Sequence, residues 1–187
     1  MASLVLNGNT SGSVTISSPA VSGTTTLTLP TTSGTVLTNG TNTNFPAGSV
    51  LQVVTGTLNT QFSTASISVT STGLTASITP SSASNKILAI ISVGSFNGNV
   101  QNSGPFMTLL RNGTNVVSTG ATLNSLAFLQ VNLASGGALY MPSSFSFLDS
   151  PSTTSAIAYA VGTAAQAGTV LVNTIGLSTI TLMEIKG

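Results

Sequence analysis

Apolar and polar residues alternate in short runs along the start of the chain. Val14 and Ile16 share one side of a run, Leu27 and Leu29 one side of another. Pro19, Gly23, Pro30 and Gly34 break these runs apart. A period of two predicts β-strands, each turning a few apolar side chains to one face. Short strands are predicted at Leu4–Leu6, Val14–Ile16, Leu27–Leu29 and Thr35–Leu37, with turns at Asn7-Gly8, Ser18-Pro19, Pro30 and Asn39-Gly40. A two-stranded piece is marginal in water by itself. These faces therefore require partners, and identical segments of neighbouring chains are the nearest source. The expectation is a β-rich assembly or anchoring segment over residues 1–44, with Val14, Ile16, Leu27 and Leu29 as interchain contacts.

Thr38 to Gly48, TNGTNTNFPAG, has no apolar period and reads as a linker ending at Phe45-Pro46, where the residue before proline is pushed extended. Longer strands follow, over a predicted domain spanning 45–187. They are expected at Val50–Val54, Ser66–Thr70, Leu74–Thr79, Lys86–Phe96, Phe106–Arg111, Asn115–Ser118, Leu139–Leu148, Ala156–Gly162, Thr169–Asn173 and Thr179–Ile185. Leu123–Leu133 is ambiguous between strand and helix. The β-branched run KILAIISVGSF predicts a strand buried on both faces. Asn112-Gly113 between two apolar runs is a strong hairpin signal. The fold class is all-β: a jelly-roll-like antiparallel β-sandwich. In the last strand Ile180 and Leu182 lie on one face, Met183 and Ile185 on the other. Such a strand either sits centrally in its sheet or lies between its own core and a neighbouring subunit. All four are candidate assembly residues.

Composition sharpens this picture. Charged residues are 3% of the 187 positions, against roughly 25% in an ordinary soluble domain. They are Lys86, Arg111, Asp149, Glu184 and Lys186, and net charge is +1. Little repulsion opposes association of like chains, and too few cations are present to neutralise a nucleic-acid backbone. An apolar content of 41% argues against disorder. No apolar run approaches the roughly 20 residues of a membrane helix, so membrane insertion is not expected. MASLVLNGN lacks the basic start and apolar run of a signal peptide.

Candidate chemistry is sparse. The chain has no His and no Cys, which removes the commonest general base, metal ligand and thiol nucleophile. No catalytic, cofactor or metal residue is assigned, and the chain is not read as an enzyme. Asp149 and Glu184 would have to approach within roughly 5–10 Å to act as a glycosidase pair. The plainer reading has Asp149 capping the Leu148-Asp149-Ser150-Pro151 turn and Glu184 alternating with Lys186 on a strand face. Arg111 reads as a solvated hairpin shoulder, and Lys86 as a strand start. Phe96, Phe106, Phe128, Tyr140, Phe145, Phe147 and Tyr159 could line a sugar-binding surface, although a sandwich of this size needs them in its core.

The stretch SGSVTISSPAVSGTTTLTLPTTSGTVLTNG resembles a segment recurring in tail-fibre-like and other virion proteins of tailed bacteriophages, marine and cyanobacterial ones in particular. VLQVV at Val50–Val54, TGLTASITPSSASNKILAIISV at Thr72–Val93, the Phe147–Pro151 turn and the ending STITLMEIKG also resemble a module of such proteins. The resemblance implies a homotrimer with intertwined N-terminal segments and β-sandwiches around a three-fold axis. It implies a place on the phage particle surface after synthesis in the host cytoplasm. The implied partners are the chain itself and other virion proteins of capsid, tail or baseplate, with a host surface glycan as a further candidate. The role is then a short tail fibre, a capsid fibre or a capsid decoration (cement) protein. The alternative is a non-catalytic carbohydrate-binding module.

Overall fold

A computed structural model describes residues 3–17, 20–21, 23–24, 26, 28, 31–33, 45–98, 106–117, 127–128 and 140–187. The chain divides into two compact units, Met1–Val36 and Leu37–Gly187.

The first unit contains β1 (Ser3–Asn7) and β2 (Ser13–Ser17), paired antiparallel from Ser3↔Ser17 to Asn7↔Ser13. Gly8 N donates to Gly12 O at 2.8 Å and closes the connecting loop. The expected strands at Leu4–Leu6 and Val14–Ile16 are present. Leu27, Leu29 and the Thr35–Leu37 run lie outside the described residues.

The second unit is an antiparallel β-sandwich, and the described residues are all-β. Its long strands are β3 (Val50–Leu58), β5 (Thr70–Ile78), β6 (Lys86–Gly98), β7 (Phe106–Arg111), β10 (Met141–Asp149), β11 (Ile157–Ala164) and β13 (Ser178–Ile185). The first sheet runs β3-β13-β6, with β10 on the other edge of β6. The second runs β5-β11-β7. Each long strand therefore lies in the opposite sheet from the long strand before it. Neighbours within a sheet are distant in sequence, which is the double-sheet arrangement of a jelly roll.

Short pieces complete the edges. β4 (Phe62–Thr64) and β12 (Val170–Val172) extend the first sheet, and β8 (Thr114–Asn115) and β9 (Ala127–Phe128) pair with β7. At the β7–β8 turn Asn112 has φ 50° and Gly113 φ 83°. Two positive φ values in a two-residue loop match the right-handed twist of the flanking strands. Asn112 is held further, because its Oδ1 accepts from Ala158 N at 2.9 Å.

Alternation fills the space between the sheets. Ile87, Ala89, Ile91 and Val93 of β6 and Ile180 and Leu182 of β13 meet Leu74, Ala76 and Ile78 of β5, Met107 and Leu109 of β7, and Ile157, Tyr159 and Val161 of β11. Each large aliphatic side chain taken out of water contributes about 1.5–3 kcal/mol. Gly56 lets β3 approach the second sheet, since a Cβ there would lie 1.9 Å from the carbonyl oxygen of Thr75.

Two expectations are corrected. β6 is not buried on both faces throughout. Lys86, Ile90 and Ser92 are exposed, and only its end, Ser95–Gly98, is buried at every residue. Pairing on both edges satisfies the backbone of a strand without covering its outward side chains. Of the expected strand Ser66–Thr70, only Thr70 is in a strand, as the first residue of β5. Ser66 Oγ donates to Ser68 O at 2.8 Å and accepts from Ser68 N at 3.1 Å, and such local bonds compete with a ladder.

Candidate assembly surfaces

The hairpin is two-faced by sequence alone. The cross-strand pairs Leu4↔Ile16 and Leu6↔Val14 put four aliphatic side chains on one face. Val5↔Thr15 belongs to the other face. Among the described residues of this unit none covers the aliphatic face: Leu4, Leu6, Val14 and Ile16 are 57, 52, 63 and 53% exposed. Val14 and Ile16, expected as assembly residues, are therefore brought together and joined by Leu4 and Leu6.

The four β13 candidates separate. Ile180 and Leu182 are fully buried in the core of their own chain. Met183 and Ile185 lie half-buried on the outward face of the first sheet. β13 is a central strand, bonded to β3 on one edge and β6 on the other.

Glu184, Asp149 and Arg111 occupy built sites that sequence reading did not anticipate. Glu184 follows Ile180 and Leu182 at period two and, like them, is fully buried. Its Oε1 accepts from Asn85 Nδ2 at 2.5 Å, Ser81 N at 2.6 Å and Ser81 Oγ at 2.8 Å, and its Oε2 accepts from Gln52 Nε2 at 2.6 Å. Burial by itself would raise the carboxyl pKa. The bonds from Asn85, Gln52 and Ser81 outweigh burial and lower it from 4.5. Glu184 is thus not on a solvated strand face with Lys186. It fastens the end of the sandwich where Gly48 N donates to Lys186 O and Lys186 N to Ser49 O, at 2.8 and 2.9 Å.

Asp149 is likewise no simple turn cap. Arg111 Nη1 donates to both its oxygens, at 3.1 and 2.9 Å, and Tyr159 Oη donates to Oδ2 at 2.5 Å. Tyr159 is fully buried. Burial, then the hydrogen bond to Asp149, pushes its phenol well above the ordinary range. Arg111 is therefore committed to a link between β7 and β10 across the two sheets. Both carboxylates are occupied by structural donors, and among the described residues no group of three acidic, His or Cys side chains could hold a metal ion.

The aromatic residues are dispersed. Phe96, Phe106 and Tyr159 are buried, Phe145 and Phe147 pack against the core, and Tyr140 is exposed. The side chain of Phe128 lies outside the described residues.

No protein-family model and no curated protein matches the chain. Solved structures that match include infectious bursal virus derived T=1 particles, at 14% identity and TM-score 0.37, covering 82% of this chain and 41% of that one. Another is the infectious bursal disease virus Gx strain, at 19% identity and TM-score 0.40, covering 86% and 41%. The chain spans about two-fifths of the length of either protein. At those scores nothing about function rests on the likeness.

Proposed function

We propose that this chain is a structural protein of a tailed-phage virion, a homotrimer serving as a short tail fibre or as a capsid fibre or decoration protein. The observation that carries the assembly reading is the uncovered aliphatic face of the hairpin, Leu4, Leu6, Val14 and Ile16. Such a ribbon gains stability only when its face meets another apolar surface. Three copies brought together would hide one another's faces. The particular setting, a phage particle, rests on the resemblance of the Gly12–Asn39 region and the later landmarks to virion proteins. The structural roles of Arg111, Asp149 and Glu184 favour a scaffold over a catalyst, since Arg111 Nη1 and both carboxylates are taken up by hydrogen bonds within the fold.

Light scattering on the full chain tests this, beside a variant carrying Leu4→Ser, Leu6→Ser, Val14→Ser and Ile16→Ser. The wild type is expected at a mass that is a multiple of three chains, the same at low and high salt because so few charges take part. The variant is expected to lose the three-fold mass. A monomeric wild type would overturn the reading.

A further inference from the structure

The outward positions of β5, in the second sheet, differ sharply from those of the first sheet. On the second sheet the outward positions of β5 are Ser71, Gly73, Thr75 and Ser77. On the first sheet, register aligns Val53 of β3 with Met183 of β13, Met183 with Leu88 of β6, and Leu88 with Leu148 of β10. One apolar row thus crosses four adjacent strands. Ile90 stands in the next row, beside Thr181 and Ser146. Val53, Leu148 and Ile90 are 54, 50 and 41% exposed. Cross-strand neighbours sit about 5 Å apart, so the row forms one continuous stripe.

We infer that this outward face is a self-association surface, which packs against the same face of a second copy of the chain. This deepens the assembly reading above but uses a different surface. Three observations select a second copy as the occupant. The first is charge: within these strands the face carries a single charged side chain, Lys86, at its end beside Ile185. Asp149 and Glu184 are buried on the inward side, and Arg111 belongs to the second sheet. Two identical faces therefore meet without repulsion, whereas one lysine offers little to an anionic surface.

The second is size. Four strands at about 4.8 Å spacing and eight residues at about 3.3 Å rise give roughly 500 Å² of flat face. Two copies together bury about 1,000 Å², which reaches the lower bound for a specific contact. The third is shape. A row of similar aliphatics across a sheet is self-complementary, as an isologous two-fold contact requires, and two sheets pack face to face with interdigitating side chains. Trimers joined through their hairpins would then pair through their sandwiches.

The test begins from the full chain with the hairpin face already made polar by the four substitutions above, so that only the sheet can associate. Its mass in the micromolar range is expected to be two chains, and adding Val53→Ser and Leu148→Ser is expected to reduce it to one. Because the chain has no cysteine, Met183→Cys provides a clean second readout. A short bis-maleimide should link its copies several-fold faster than those of Ser77→Cys on the other sheet. Circular dichroism of each variant establishes that the fold is kept, and the cysteine comparison applies even where the serine variant does not fold. Equal linking of the two cysteines, or a hairpin variant that is already a monomer, overturns the inference. The failures are separable: a wild type whose mass is two chains ends the trimer reading alone, while this pair of readouts concerns the sheet.

Discussion

The hairpin and the sandwich are written in the same residues, yet they end in opposite states. In β2, Val14 and Ile16 alternate with Ser and Thr; in β13, Ile180 and Leu182 alternate with Thr and Met. The β13 pair is fully buried, while the β2 pair is more than half exposed. The difference lies in what stands opposite. β13 has strands on both edges and a second sheet above it. β2 has one antiparallel neighbour of five residues. Alternation specifies which face is apolar; the number of layers decides whether the chain can cover that face itself.

The widest separation between the two regions is expected from truncation to alanine. Leu109 is fully buried between the sheets, and Leu109→Ala should cost about 2–5 kcal/mol through lost burial and an unfilled cavity. Denaturant unfolding followed by circular dichroism measures it. A cost below about 1 kcal/mol would mean that the sandwich interior is not close-packed.

Next in size is Glu184→Ala. It leaves the donors of Asn85, Ser81 and Gln52 without their acceptor at a buried site, and should cost roughly 2–3 kcal/mol. The same unfolding measurement applies. An effect within experimental error would show that water replaces the carboxylate without penalty.

The lowered pKa of Glu184 adds a smaller, pH-dependent effect. A carboxyl group with a depressed folded-state pKa holds its proton less tightly when folded than when unfolded. Its contribution is therefore present above the unfolded value, near 4.5, and is lost as pH falls through the lower folded value. Stability should be flat from neutral pH to about pH 5 and then decline by at most about 1.4 kcal/mol per pH unit for this group. Glu184→Gln should shrink that acid limb, which unfolding midpoints between pH 3 and pH 7 can register. An acid limb identical to wild type would assign the proton uptake elsewhere.

Much of the sandwich is legible in the sequence. The Asn112-Gly113 turn, the bounds of β7 and the two faces of β13 follow from turn chemistry and period two. The jelly-roll arrangement was legible from many short strands punctuated by turn residues. Three features were not legible, each for a physical reason. β4 is a three-residue piece, too short to show a period. The one-sided exposure of β6 depends on a missing outer layer, which a run of Ile, Leu and Val does not encode. The Glu184 cluster gathers Gln52, Ser81 and Asn85 from 99 to 132 positions away. One clue lay in plain view: Glu184 shares the period of Ile180 and Leu182, so a strict reading of alternation places it inside.

The smallest effect sharpens the comparison most. Leu6→Ser together with Val14→Ser alters one cross-strand pair of the hairpin at sites that are already open to solvent. Exposed positions should change the unfolding of the sandwich by under about 0.5 kcal/mol. Urea titrations at two protein concentrations, tenfold apart, separate three physical situations. A midpoint unchanged at both concentrations is the expected result and leaves the two regions energetically separate. A destabilisation that differs with concentration would mean that contacts between chains, made by the hairpin, also hold the sandwich by mass action. A large, concentration-independent loss would break the comparison outright, because it would require the hairpin face to be part of the stability of a single chain.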